Sequence, residues 1–277
     1  MPDSFNISVI IATYNRPDAL QAVVEGCFNQ TDLDFEIIVA DDGSGAATRE
    51  CVAALQARSP VPLQHVWQPD QGFRLSLARN RGILAARGDY LLFLDGDCVP
   101  RRDYIAQHRR LAARGFMVTG SRILLNPETT EQVLSGKLNV QPAGTIAKIG
   151  LRLRGRIGKL PQLLVTLPDI GRKRKRFSFR RIKGCNLGVW RADLERINGF
   201  DESFLGWGYE DSDLVARLFN AGVLRKDGAY ATEVLHLWHR DAPRDRASSN
   251  QRVVQQRLAD HTTQAARGLR EHAAQHT

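Results

Sequence analysis

Short, nearly continuous apolar runs alternate with amphipathic stretches of helical period along the first part of the chain. Ile7-Ser8-Val9-Ile10-Ile11-Ala12 is rich in β-branched residues and suits a buried parallel strand, and from Pro17 to Phe28 the apolar positions recur at helical spacing. Pro17 is well placed in a first helical turn, where its missing N–H is no loss. The unit repeats as strand Phe35–Ala40 and helix Ala46–Ala57, then strand Leu63–Trp67 and helix Leu75–Arg87, after which Gly88-Asp89 turns into the apolar run Tyr90–Leu94. Strands alternating with helices at this spacing predict an α/β fold on a mostly parallel, doubly wound sheet.

Each strand ends in polar residues, and right-handed crossovers bring those ends to one edge of the sheet: Thr13 to Arg16, Asp41-Asp42-Gly43-Ser44, and Asp95-Gly96-Asp97. Read as a continuing strand, the last of these points Asp95 and Asp97 to the same side, with Gly96 leaving space for a ligand to approach the backbone. Two close carboxylates ask for a cation, and Mg²⁺ or Mn²⁺ would keep substrate phosphates as further ligands. The expected site is therefore a metal–diphosphate site at a strand's carboxyl end, where open α/β sheets place their ligands. Taken singly, Asp-Gly-Asp also reads as a turn, and Asp41 to Ser44 as a turn with a helix cap. Neither a G-x-G-x-x-G nor a G-x-x-x-x-G-K-[ST] loop occurs, which excludes the dinucleotide fingerprint and the P-loop.

Val9–Arg16, Val39–Ser44, Ala78-Arg79-Asn80-Arg81-Gly82 and Leu94–Asp97, in that order, resemble the successive signatures of family 2 glycosyltransferases. The resemblance covers about the first 100 residues and implies a GT-A-type fold and a nucleotide-sugar donor, usually UDP-linked. Carried over by position, it implies that Thr13, Tyr14 and Arg16 border the nucleotide and that Asp42 accepts from the uracil imide. It further implies that Arg79 approaches the nucleotide, Asp95 the ribose, and Asp97 the metal, Mn²⁺ or Mg²⁺.

After strand Phe116–Gly120 the regular pattern stops, and here the charge balance matters. The 277-residue chain carries a formal +9, but thirteen Lys or Arg against Asp169 alone between Lys148 and Lys183 give that stretch +12 and leave about −3 elsewhere. Like charges at this density repel, so part of the stretch is expected to be mobile without a partner. An anionic lipid surface, a phosphorylated glycolipid or nucleic acid would each be attracted. With only Phe177 and Phe179 as aromatics there, nucleic acid is the least favoured. No apolar run approaches the roughly 18 residues that span a bilayer, and the N-terminus lacks a signal-peptide pattern, so the expected location is the cytoplasm, or the inner face of a membrane through residues 148–183. Cys27, Cys51, Cys98 and Cys185 have no C-x-x-C spacing and read as reduced, buried thiols.

Lys183–Trp190 reads as a short strand and Arg191–Asn198 as a helix stopped by Gly199. Gly206-Trp207-Gly208-Tyr209-Glu210-Asp211 then leads into a helix closed at Asn220-Ala221-Gly222. Acids at a helix start suit its positive end, and one projecting into a cleft can take a proton from an acceptor hydroxyl. The segment is similar to the Gly-Trp-Gly-x-Glu-Asp motif of β-1,4-galactosyltransferases and bacterial polysaccharide-synthesising relatives. That similarity implies Asp211 as general base, Glu210 binding the acceptor and Trp207 lining its site, while Ser212 interrupts the acids that follow in the galactosyltransferases. Of the histidines beside Trp238, His239 best matches a metal ligand in metal-dependent relatives, with His236 as a second.

The expected organisation is a nucleotide-sugar-binding subdomain at 1–121, a basic insertion at 122–182, an acceptor-binding and catalytic-base subregion at 183–244, and a polar helical tail at 245–277. The expected activity is inverting transfer of a sugar from a nucleotide-sugar donor to a saccharide or glycolipid acceptor, in polysaccharide or lipopolysaccharide synthesis. Its rivals are a nucleotidyltransferase, which would have no need of a sugar-stacking wall, and a nucleic-acid binding protein using the basic stretch.

Overall fold

The computed structural model of the chain describes residues 4–141, 144–179, 182–206, 208–240 and 247–273. The strands are β1 (Ile7–Thr13), β2 (Phe35–Asp41), β3 (Leu63–Trp67), β4 (Tyr90–Asp95), β5 (Cys98–Pro100), β6 (Phe116–Thr119), β7 (Arg122–Leu124), β8 (Lys173–Arg174), β9 (Asn186–Trp190), β10 (Leu224–Asp227) and β11 (Val234–His236). Most form one sheet in the order β3-β2-β1-β4-β9-β6-β10-β8, while β5, β11 and β7 form a smaller one. The β3-β2-β1-β4 half is parallel throughout, and β9 enters antiparallel between β4 and β6.

Both faces of the parallel half are covered, which is why its strands read as nearly continuous apolar runs. Ile7, Val9 and Ile11 of β1 pack with Leu20, Val23 and Val24 of the helix Pro17–Phe28. Ile10, one residue out of phase, joins Ala78 and Ile83 of the helix Leu75–Ala85 on the opposite face. This sandwich holds the ends of β1, β2 and β4 in register: Thr13 lies opposite Asp41, and Ala12 opposite Asp95.

The smaller sheet bends the C-terminal half onto this edge. His236 pairs with Cys98 across β11 and β5, and the Leu237 N–H donates to the Asp97 carbonyl at 2.8 Å. Strand β9 leads into the helix Arg191–Arg196, and Asn80, buried, donates to the Phe200 carbonyl at 2.9 Å, tying the segment before Asp211 to the helix that carries Arg79.

The basic stretch is more built than like-charge repulsion led us to expect. Its described residues include the helices Thr145–Leu153 and Pro161–Leu164, and β8 pairs with β10. Arg172 is buried, its guanidinium donating to the carbonyls of Leu167, Pro168, Asp227 and Ala229 at 2.6 to 2.8 Å. Main-chain acceptors thus absorb a charge that composition alone counts as repulsive. The tail helix Ala247–Ala259 packs on the helix Glu210–Asn220, so it belongs to the fold rather than trailing from it. No helix among the described residues is long and apolar enough to cross a membrane.

Candidate active site

The ends of β1 and β2 form one wall. Asp41 is consumed structurally, accepting from the Ser44 N–H at 2.7 Å and bonding His65 at 2.9 Å. Asp42 accepts from Gln68 at 2.6 Å and from the Arg74 N–H at 2.8 Å, which fixes its carboxylate toward the loop 68–74. Burial pushes the Asp42 carboxyl above its ordinary range despite these bonds. Tyr14 is exposed and donates its hydroxyl to Asp70 at 2.9 Å, so the β1 and β3 loops meet across this wall. Gly43, at φ +100°, has Asp70 backbone atoms 2.5 to 2.7 Å from where a Cβ would stand, and glycine alone permits that closeness.

Arg79 links this wall to the other. It is fully buried, donates to Asp95 at 2.8 Å, and lies 3.6 Å from Glu210. Burial opposes its charge, but Asp95, Glu210 and Asp211 together raise its pKa. Burial, followed by the Asp211 charge, pushes Glu210 up to about 7, with Arg79 pulling the other way. Asp211 accepts from the Gly184 N–H at 2.8 Å and from the Ser212 N–H at 2.6 Å. A Cβ on Gly184 would stand 2.8 Å from the Asp211 Cβ, so this approach also requires glycine. The residue before the helix, Tyr209, has φ 71°, an uncommon backbone for a non-glycine and of the kind that collects at functional sites. Thr13 Oγ1, Arg79 Nη1 and Glu210 Oε2 are buried without a hydrogen-bond partner, three orphaned polar atoms around one cleft.

Asp97 faces the histidines. His239 Nε2 lies 3.1 Å and His236 Nε2 3.7 Å from the same oxygen, Asp97 Oδ2. Burial pushes the Asp97 carboxyl up, but the hydrogen bond to His239 and the two imidazoles outweigh it, and the net shift is down. The bond to Asp97 raises His239 to about 9, while burial lowers His236. Asp97, His236 and Cys98 also bring one ligand atom each within 4.8 Å of one another, and burial pushes the Cys98 thiol up. One carboxylate oxygen with two imidazole nitrogens beside it is a donor set that fits a divalent metal ion, manganese included.

The structure brings Thr13, Asp42, Arg79, Asp95, Asp97, Glu210, Asp211, His236 and His239 to one edge, of which the strand-end pattern named Thr13, Asp42, Asp95 and Asp97. Arg16 pairs with Asp18 at 3.1 Å, and its charge is felt at His239, on the metal side of the cleft. Trp207 lies outside the described residues. The strand stops at Asp95, so period-two alternation does not align the two acids: Asp95 turns to Arg79 and Asp97 to the histidines. Gly96 is also corrected, because its missing side chain makes room for the Ala12 carbonyl, 2.8 Å from a would-be Cβ, rather than for a ligand. Nothing in the local sequence pattern marks Arg257, which donates to Asp213 and Asp201 at 2.6 Å each and so anchors the helix bearing Asp211.

Two family descriptions match the chain: glycosyl transferase family 2 over residues 8–169, and the N-terminal domain of galactosyltransferase over residues 169–239. A validoxylamine A glucosyltransferase of Streptomyces hygroscopicus subsp. jinggangensis is 31% identical over 224 residues, covering 78% of this chain and 52% of the relative. Chondroitin synthase of Escherichia coli is 27% identical over 277 residues, covering 90% and 37%. The chain therefore spans about half the length, or less, of these curated relatives. A mannosyltransferase from Pyrobaculum calidifontis, solved in complex with GDP-Man and Mn²⁺, superimposes with a TM-score of 0.57 at 19% identity, over 94% of this chain and 64% of that one. S. aureus TarS does so with a TM-score of 0.61 at 13% identity, over 96% and 41%. These superpositions establish the GT-A type of α/β fold.

Proposed function

The chain belongs to glycosyl transferase family 2, and from that membership we propose that it is a metal-dependent, inverting glycosyltransferase using a nucleotide-diphosphate sugar, UDP-linked, as donor. Its acceptor is a saccharide or glycolipid hydroxyl, in the synthesis of cell-surface polysaccharide or lipopolysaccharide. The observation that carries this reading is the shared guanidinium of Arg79, which sets the donor-side Asp95 against the acceptor-side Glu210 and Asp211 in one cleft. Proximity of that kind is what a single displacement between two bound substrates needs.

Asp211, held by two backbone N–H groups, takes the acceptor hydroxyl's proton as that oxygen bonds to the anomeric carbon. The bond from that carbon to the donor's phosphate oxygen breaks, and its electron pair leaves with the nucleoside diphosphate. Held by Asp97, His239 and His236, Mn²⁺ or Mg²⁺ would neutralise charge on the departing diphosphate. Thr13, Tyr14, Arg16 and Asp42 hold the nucleotide, and Asp95 the ribose. Glu210 binds the acceptor, and Trp207 is assigned to its wall on sequence similarity alone. The organisation follows suit, with 1–121 for the donor, 122–182 inserted, 183–244 for acceptor and base, and 245–277 as a helical tail that supports the base.

A panel of nucleotide sugars assayed for metal-dependent release of nucleoside diphosphate tests this, with Asp97→Ala and Asp211→Ala beside wild type. Both variants matching wild type on the preferred donor would remove the assigned roles. A second reading concerns location. Ile146 and Leu153 are 86% and 82% exposed on the helix Thr145–Leu153, beside Lys148 and Arg152, which favours contact with an anionic lipid surface. Co-sedimentation with anionic vesicles that survives Ile146→Glu with Leu153→Glu would refute it.

A further inference from the structure

A second concavity adjoins the acceptor side of the cleft. It is a cavity of about 500 Å³ between β7, parts of the segment 159–174 and the turn at Tyr230. Pockets that hold small molecules run roughly 300 to 1,000 Å³, so the size suits a substituted sugar. Its walls carry Arg122, Lys159, Arg172, Arg174 and Lys183 against one carboxylate, Asp227.

These cations are not equivalent. Arg172 is locked onto four main-chain carbonyls and serves as a fixed wall, and Arg174 lies 3.5 Å from Asp227. Among the described residues, the side chains of Arg122, Lys159 and Lys183 make no hydrogen bond or ion pair. Three unmatched positive charges around one hollow repel each other and focus a positive potential into it, and an anion relieves both. Guanidinium and ammonium donors together suit a phosphate or carboxylate.

The position matters as much as the charge. Lys183 directly precedes Gly184, whose N–H donates to Asp211 at 2.8 Å. Arg122 stands opposite Val234 in β11, the strand that ends in His236, and its charge is felt at that histidine. Thr13, Tyr14 and Asp42, on the nucleotide wall, do not line the cavity. Glu210 and Asp211 do not line it either; Lys183, through Gly184, is what joins the cavity to Asp211.

We propose that this cavity is the anion-binding part of the acceptor site, taking a phosphate or carboxylate substituent of the acceptor saccharide and so presenting its attacking hydroxyl to Asp211. The inference rests on the transferase reading above and names its substrate class: an acidic saccharide rather than a neutral one.

Calorimetric titration of the full chain, alone and preloaded with UDP and Mn²⁺, with a hexose 6-phosphate, a hexuronic acid and the neutral hexose tests it. At least one anionic probe should bind saturably and at least about tenfold tighter than the neutral sugar, and the preferred anion identifies the substituent. Arg122→Gln and Lys159→Gln should each weaken that binding by about tenfold, a loss of about 1.4 kcal/mol. Arg122 is half-buried and Lys159 exposed, so each variant should melt close to wild type, and a melt recorded alongside verifies the fold. Anionic and neutral sugars binding alike, or unchanged affinity in both folded variants, overturns the proposal. The transferase reading fails on a different measurement, the absence of metal-dependent nucleoside diphosphate release.

Discussion

Glu210→Gln should become progressively more stable than wild type as pH rises from about 5 to about 7, and hold that advantage above it. The Glu210 side chain is 11% exposed, its Oε2 is orphaned, and its nearest cation, Arg79, stands 3.6 Å away while also serving Asp95. Burial first, and the Asp211 charge second, raise its pKa from 4.5 to about 7. Because the folded value lies above the unfolded one, folding favours the protonated acid. That contribution is complete below about pH 4.5 and is lost as pH rises through about 7. A shift of roughly 2.5 units at about 1.36 kcal/mol each caps the effect near 3 kcal/mol, of which roughly 2.5 kcal/mol falls between about pH 5 and 8. Glutamine keeps the shape and cannot ionise, so the stability difference, variant minus wild type, should rise by about that amount over this range. Urea unfolding followed by tryptophan fluorescence, with chelator present at each pH, measures it, and groups common to both proteins cancel in the difference. A difference that stays flat within about 0.5 kcal/mol would refute the assignment of a strained, ionisable Glu210.

Asp211→Asn, whose amide oxygen can accept from only one of the two backbone N–H groups that donate to Asp211, should leave donor binding unchanged while lowering transfer by about 10² to 10⁴, as loss of a general base does; a comparable fall in donor affinity would count against that role. Mn²⁺ at about 100 times its Kd should stabilise wild type by about 2.7 kcal/mol in thermal melts, and Asp97→Asn or His239→Ala should abolish the gain. Arg257→Ala removes the cationic partner of the buried Asp201, which keeps only the Ser203 and Ala266 N–H groups, and one of the two arginines on Asp213, so it should destabilise by about 3 kcal/mol. It should also slow transfer by loosening the helix under Asp211, to be checked by unfolding and turnover on the same preparation.

The parallel half of the sheet was legible because β1, β2 and β4 are buried on both faces, which leaves a run such as Ile7 to Ala12 no alternative to a strand. The strand-end acids were legible for a related reason, since polar residues that abruptly close such runs have few positions to occupy. Asp211 was singled out among the acids at a helix start by the resemblance to the Gly-Trp-Gly-x-Glu-Asp motif, not through its partners. What stayed hidden depends on contacts without periodicity. Arg257 reaches Asp213 and Asp201 from the tail, and a lone arginine on a polar helix carries no mark of what it will touch. Arg172 looked like surplus charge because main-chain carbonyls, its actual partners, are invisible in composition. Gly96 was misjudged because strand alternation was extended one turn too far: β4 ends at Asp95, and the glycine serves the Ala12 carbonyl.

On the proposed roles, a single guanidinium between Asp95 and Glu210 would couple the binding of the two substrates. While the nucleotide is absent, Arg79 divides its attention between two carboxylates; a ribose that recruits Asp95 frees more of that cation for Glu210 and readies the opposite side for its guest. Such an arrangement favours an obligatory sequence, activated sugar before acceptor, which product-inhibition patterns would reveal.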